Sequence, residues 1–182
     1  MNEVMLVRIG FGVGAALSAG IAAGCFRLSE RNLAVVEPWP RNRFWGMVLG
    51  WAALAICVPH AEAVSPGFLL PLLWPLAVAV PVLGYFYVDY PLARSVGGLA
   101  ILGGYYLIHF GFEFHTPALP LYAVLGWILG IGGIWVSGKP CSLRDWLRLC
   151  ARSRRWRLVS AGYFALLALA LVAAALFTDG RA

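Results

Sequence analysis

The sequence predicts an all-helical membrane bundle of about six transmembrane helices, and three observations carry that expectation. Hydrophobic residues make up 62% of the chain and charged residues 12%, with a mean hydropathy of +0.81. The apolar residues collect in six long stretches. The basic residues collect in the alternate loops that join them. A soluble domain is about a quarter charged, because water must solvate its surface. This chain has too few charges for that. Its 182 residues match one bundle of about six spans at ~20 residues each, and a second, soluble domain does not fit. The whole chain, 1–182, is therefore read as a single integral membrane domain.

The stretches run 9–26, 44–59, 66–88, 95–112, 118–138 and 158–178. Inside a bilayer each backbone polar group must be paired within its own segment, so all six are read as helices. The second stretch is short, and the charge distribution argues for it. With six spans, one side holds the loops 27–43, 89–94 and 139–157, which carry twelve of the fourteen basic residues. The other side holds Arg8 and Arg181. Positive loops stay in the cytoplasm, so both termini are expected on the non-cytoplasmic side. Without the second span the arginines of loop 27–43 would oppose those of loop 139–157, and the bias would vanish. Trp39, Trp45, Tyr85, Tyr87, Tyr90, Trp135, Trp146 and Trp156 all fall near the arginine-rich end, the depth that amphipathic rings prefer.

Ala22-Ala23-Gly24-Cys25 has the form of a lipoprotein cleavage box. Cleavage there would export Arg27, Arg31, Arg41 and Arg43 and invert every later loop, so the stretch is read as a plain first span. The net charge of +6 is not a nucleic-acid signal, since the basic residues sit between apolar runs. Cys25, Cys57, Cys141 and Cys150 include no CxxC pair, so neither a disulfide nor a cysteine metal site is expected. The expected location is a cytoplasmic membrane of bacterial type, with multiple passes.

Small residues recur at helical spacing. The first span has Gly10, Gly14 and Ser18 in one row and Ala16, Gly20 and Gly24 in a neighbouring one. Gly97, Gly98, Gly103 and Gly104 lie in the fourth span, and Gly126, Gly130 and Gly133 in the fifth. Such rows let backbones approach, either within the bundle or against a partner's helix. The third span holds Pro66, Pro71, Pro75 and Pro81, and each interior proline frees a carbonyl that could line a pathway.

All three histidines fall toward the non-cytoplasmic side. His109 and Glu113 are one helical turn apart, a spacing that allows a hydrogen bond or two ligands to one metal. His109, Glu113 and His115 form the candidate metal set, and His60 with His109 the candidate haem pair. Glu, Asp, Lys and Arg are absent from the middle of all six spans, which argues against proton- or ion-driven transport.

Loop 139–157 is read as an amphipathic interfacial helix over 142–152. Ser142 and Asp145 are expected to form its capping box. Arg144, Arg148 and Arg152 share one face and, with Trp146, are assigned to the lipid surface. No nucleotide-binding loop, zinc-protease motif or nucleophile set occurs, and no residue is assigned a catalytic role.

The expected function is therefore a non-catalytic subunit or scaffold of a larger membrane complex. The alternatives are a channel or transporter for a neutral or lipid-like substrate, and a haem or metal redox protein using the outer histidines. The expected partners are the bilayer, including its anionic lipids, and another membrane protein or a second copy, with no nucleic acid.

Sidedness is open to a direct measurement. In a background free of native cysteine, a cysteine placed in loop 27–43 or 139–157 should resist impermeant thiol reagents in intact cells. One placed near residue 62 or 179 should react. Labelling of the opposite sense would reverse the orientation.

Overall fold

A computed structural model describes residues 3–113 and 119–177 of the chain, with side chains from 9 to 113 and from 120 to 176. The described residues are helical almost throughout and include no strand. In chain order the helices are α1 (Glu3–Arg27), α2 (Glu30–Val36), α3 (Arg43–Glu62), α4 (Leu70–Tyr87), α5 (Pro91–Glu113), α6 (Leu119–Gly138), α7 (Cys141–Arg152) and α8 (Arg154–Phe177), with a 3₁₀ turn at Trp39–Arg41 between α2 and α3. Six of them are long and apolar enough to cross a membrane: α1 from Ile9, then α3, α4, α5, α6 and α8. The chain is an integral, multi-pass membrane protein.

Each expected span has its helix, and the boundaries have local causes. The short second span gains residues at both ends. Asn42 opens α3 by accepting the Trp45 N–H on its side-chain oxygen at 3.1 Å, and the helix continues past Pro59 to Glu62. Its 20 residues then reach about 30 Å, a full hydrocarbon thickness. The third span starts later than expected, because Pro66 and Gly67 form a turn and Pro71 sits in the first turn of α4, where its missing N–H costs nothing. The loop 27–43 holds α2 and the 3₁₀ turn.

The contacts group into two compact units. One comprises Met1–Ala34, Leu107–Leu125 and Trp146–Ala182, the other Val35–Tyr106 and Gly126–Asp145. In the first, α1 and α8 run antiparallel, since Leu171 lies opposite Gly14 and Arg157 donates to the Leu28 carbonyl at 2.7 Å. Phe11, Ala15, Ser18, Ala22 and Cys25 form the buried stripe of α1, alternating steps of four and three. They face an α8 stripe that is mostly alanine and leucine, including Ala161, Leu167, Leu171 and Ala174. The 3.5-residue period keeps both stripes in register along the crossing. Phe110 closes the unit edge-on against Phe11 and Tyr122, with centroids 4.8 and 5.7 Å apart. Two tyrosine hydroxyls bond across helices: Tyr122 donates to the Ala170 carbonyl at 3.1 Å and Tyr163 to the Leu125 carbonyl at 3.0 Å.

In the second unit α5 and α6 meet through glycine. A Cβ built on Gly104 would stand 2.6 Å from the Gly126 carbonyl oxygen, and one on Gly133 would stand 2.6 Å from that of Gly97. A Cβ on Gly97 would collide with the Ser137 hydroxyl. The backbones are thus in direct contact, and Arg94 ties the same crossing by donating to the Ser137 carbonyl at 3.1 Å. Gly46 lets α3 approach Pro91 and Leu92 in the same way, and Ser95 donates to the Gly46 carbonyl at 2.6 Å.

The expected capping box of α7 does not form. Pro140 presets a helical φ, so the helix starts at Cys141 and Ser142 falls one position inside it. The Ser142 hydroxyl donates back to the Lys139 carbonyl at 2.5 Å, and Asp145 faces the Arg144 guanidinium instead. Cys150 and Ala151 are buried, and Arg152 points outward. All four cysteines are free thiols, and burial pushes that of Cys150 above the ordinary range.

Gly104→Ala should destabilise the purified protein by about 1–3 kcal/mol, because its methyl can be placed only by moving backbone. Gly98→Ala enters open space and should shift stability by under about 0.5 kcal/mol. Thermal unfolding in detergent, followed by circular dichroism, separates the two. Equal effects would rule out the seam.

Candidate functional site

His109 and His60, the two described histidines, each have local partners. The His109 Nε2 lies 3.4 Å from a Glu113 carboxylate oxygen, as their one-turn spacing allows, but the two side chains are 57% and 59% exposed. His60, near the end of α3, spends both ring nitrogens locally. Its Nδ1 lies 3.1 Å from the Ile56 carbonyl, which can only accept, so Nδ1 carries the proton. Its Nε2 is then free to accept from the Tyr106 hydroxyl at 3.4 Å. Tyr105 and Tyr106 pack edge-on against the ring, with centroids 5.7 and 5.6 Å away. His115 lies outside the described residues. Among the described residues no three His, Cys, Asp or Glu side chains are placed to share a metal ion.

The proline-rich third span is one uninterrupted helix. Pro81 is buried against α3 at Gly50, and the Trp51 indole donates to the Val78 carbonyl at 3.0 Å beside the proline. Neighbouring groups thus pack around Pro81, while Pro75 is exposed.

On α7 the residues assigned to the lipid surface divide. Arg152 is exposed, and Arg148 is part-buried with a partner of its own. The Trp146 indole donates to the Ser160 hydroxyl at 3.1 Å and packs edge-on against Phe164 of α8. Arg144 turns toward the α4–α5 connection, within 3.4 Å of the Tyr90 hydroxyl.

That connection carries a cluster which spacing in the sequence does not reveal. Tyr90 precedes Pro91 with φ of 56°, a left-handed conformation that costs a bulky residue about 1–3 kcal/mol. The conformation is held by what the side chain reaches. Arg41 donates to the phenol oxygen at 2.6 Å while its guanidinium carbon lies 4.8 Å from the ring centroid, and Arg144 approaches the same oxygen. Beside Tyr90 is a hollow of about 330 Å³ lined by Arg41, Arg43, Val88, Asp89, Tyr90 and Pro91. Arg41 and Arg144 stand 49 and 54 residues from Tyr90, so no local pattern links them.

The two small-residue rows of α1 also separate. Gly14 and Ser18 turn into the α8 seam. Ala16, Gly20 and Gly24 are exposed, and a Cβ on either glycine would meet nothing within 4 Å.

The exposed His109–Glu113 pair predicts a small effect. His109→Ala and Glu113→Gln should each shift stability by no more than about 0.5 kcal/mol in thermal unfolding. A loss of several kcal/mol would mark a buried, functional pair.

The chain matches no known protein family, no curated protein and no solved structure.

Proposed function

We propose that the chain is a non-catalytic subunit of a larger membrane complex, joined laterally through the outer row of α1. The observation that carries this reading is the unoccupied row Ala16, Gly20 and Gly24. Internal packing accounts for Gly97, Gly103, Gly104 and Gly133 at the α5–α6 crossing, although a Cβ on Gly98, Gly132 or Gly138 would meet nothing within 4 Å. It does not account for Gly20 and Gly24. Lipid gains nothing from a missing side chain, whereas a second helix gains close dispersion contacts along it. The partner surface is accordingly a transmembrane helix with its own small-residue row, on another protein or a second copy. The arginine-rich helix ends face the cytoplasm in this reading, because basic loops resist translocation. Those ends carry the contact with anionic lipid of the inner leaflet.

The test uses the full chain in its native membrane. Gly20→Leu with Gly24→Leu adds bulk only to an exposed row, so the thermal midpoint of the purified protein should not fall. Cysteine crosslinking from position 16 and native gel mobility should show a defined larger species for the parent chain and its loss in the double variant. A species that survives both substitutions would remove α1 as the joining surface.

A further inference from the structure

We propose that the hollow beside Tyr90 is a phosphate-binding site, taking the phosphate group of a lipid headgroup or of a soluble phosphorylated compound on Arg41, Arg43 and the Tyr90 hydroxyl. The first support is the balance of charge. Arg41 and Arg43 line the hollow with one carboxylate, Asp89, and neither arginine forms an ion pair among the described residues. Arg94 and Arg144 stand at the same connection, and Asp145 pairs with Arg144. Four guanidiniums thus face two carboxylates, and only one carboxylate is engaged. Mutual repulsion of the arginines opposes their convergence, and a bound anion removes that repulsion.

The second support is the inventory of hydrogen bonds. The phenol oxygen of Tyr90 accepts from Arg41 and lies within reach of Arg144, and neither arginine can accept, so its own O–H remains available to a further acceptor. Arg41 keeps N–H groups beyond the one given to Tyr90, and Arg43 makes no hydrogen bond among the described residues. The polar groups of these three side chains offer donors to the hollow, which suits an acceptor-only ligand with several oxygens. Phosphate presents such oxygens, and guanidinium matches them two at a time.

The third support is the backbone. Tyr90 holds a left-handed φ immediately before a proline, a conformation that local sequence disfavours. Strain of this kind persists where the surroundings fix it, and it concentrates at ligand clamps. Here it aims the phenol between Arg41 and Arg144. The volume, about 330 Å³, lies at the small end of ligand sites and exceeds what one phosphate group needs. Exposed Trp45 and Tyr87 flank the same helix ends, at the depth where bilayer phosphates lie.

The experiment titrates the purified full-length protein with phosphatidic acid and with inorganic phosphate, following bound lipid by native mass spectrometry and phosphate by calorimetry. The parent chain should bind phosphatidic acid in preference to phosphatidylcholine. If inorganic phosphate binds and competes, the ligand is a soluble phosphate compound; if it does neither, the ligand is a lipid headgroup. Arg43→Gln should weaken binding about five- to tenfold, and Arg41→Gln at least as much. Arg43 makes no hydrogen bond or ion pair among the described residues, so its variant reports on binding and not on folding. Tyr90→Phe should weaken binding while leaving the helical signal unchanged. Arg152→Gln removes an equal charge from exposed α7, away from the hollow, and should weaken binding clearly less than Arg43→Gln does. The proposal is overturned if the parent chain binds neither probe, if Arg43→Gln binds as the parent does, or if Arg152→Gln is as damaging as Arg43→Gln.

Discussion

Helices surrounded by lipid gain little from hiding apolar surface, because the hydrocarbon is as apolar as they are. What holds them is contact too close for lipid to replace. That constraint explains the places where this chain gives up side chains. At the α5–α6 crossing Gly97, Gly104 and Gly133 bring backbone onto backbone, and Gly46 does the same where α3 meets the start of α5. In the other unit the crossing of α1 and α8 uses alanine and serine, with Gly14 facing Leu171.

Polar groups follow the same logic. In a medium without water every buried donor and acceptor must find a protein partner. Tyr122 and Tyr163 give their hydroxyls to carbonyls of facing helices, and Trp51 gives its indole N–H to a carbonyl beside Pro81. These bonds fasten rotation about helix axes, which apolar packing alone leaves loose.

Charge is confined to the helix ends, and there it is organised more closely than orientation requires. A topology signal needs only that the arginines stay on one side. Arg41 instead reaches into the α4–α5 connection and lies against Tyr90, whose backbone bears strain to receive it. Ser142 shows how one proline redirects local structure: Pro140 starts α7 early and converts a would-be cap into an internal hydroxyl.

The six spans were legible in the sequence, because hydrocarbon thickness sets the length of an apolar run and every run had to be helical. The reality of the short second span was legible too, through the arginine distribution, although its cap at Asn42 was not read. His109 and Glu113 were correctly placed as neighbours, since one helical turn is a local relation. Other features depended on which face of each helix turned inward. Glycines occur in α1, α5 and α6 alike, and nothing in their spacing separates those that meet a neighbour from Gly20 and Gly24, which do not. His60 looked like a ligand until its two nitrogens were seen engaged with Ile56 and Tyr106. Arg41, Tyr90 and Arg144 lie far apart in the chain, and by sequence alone they stand as a loop arginine, an interfacial aromatic and a lipid-facing helix arginine. The sequence by itself determined how many times the chain crosses and where its charges end. Only the tertiary structure decided which residues meet, because helix rotation and close approach are set by long-range contacts that no local period encodes.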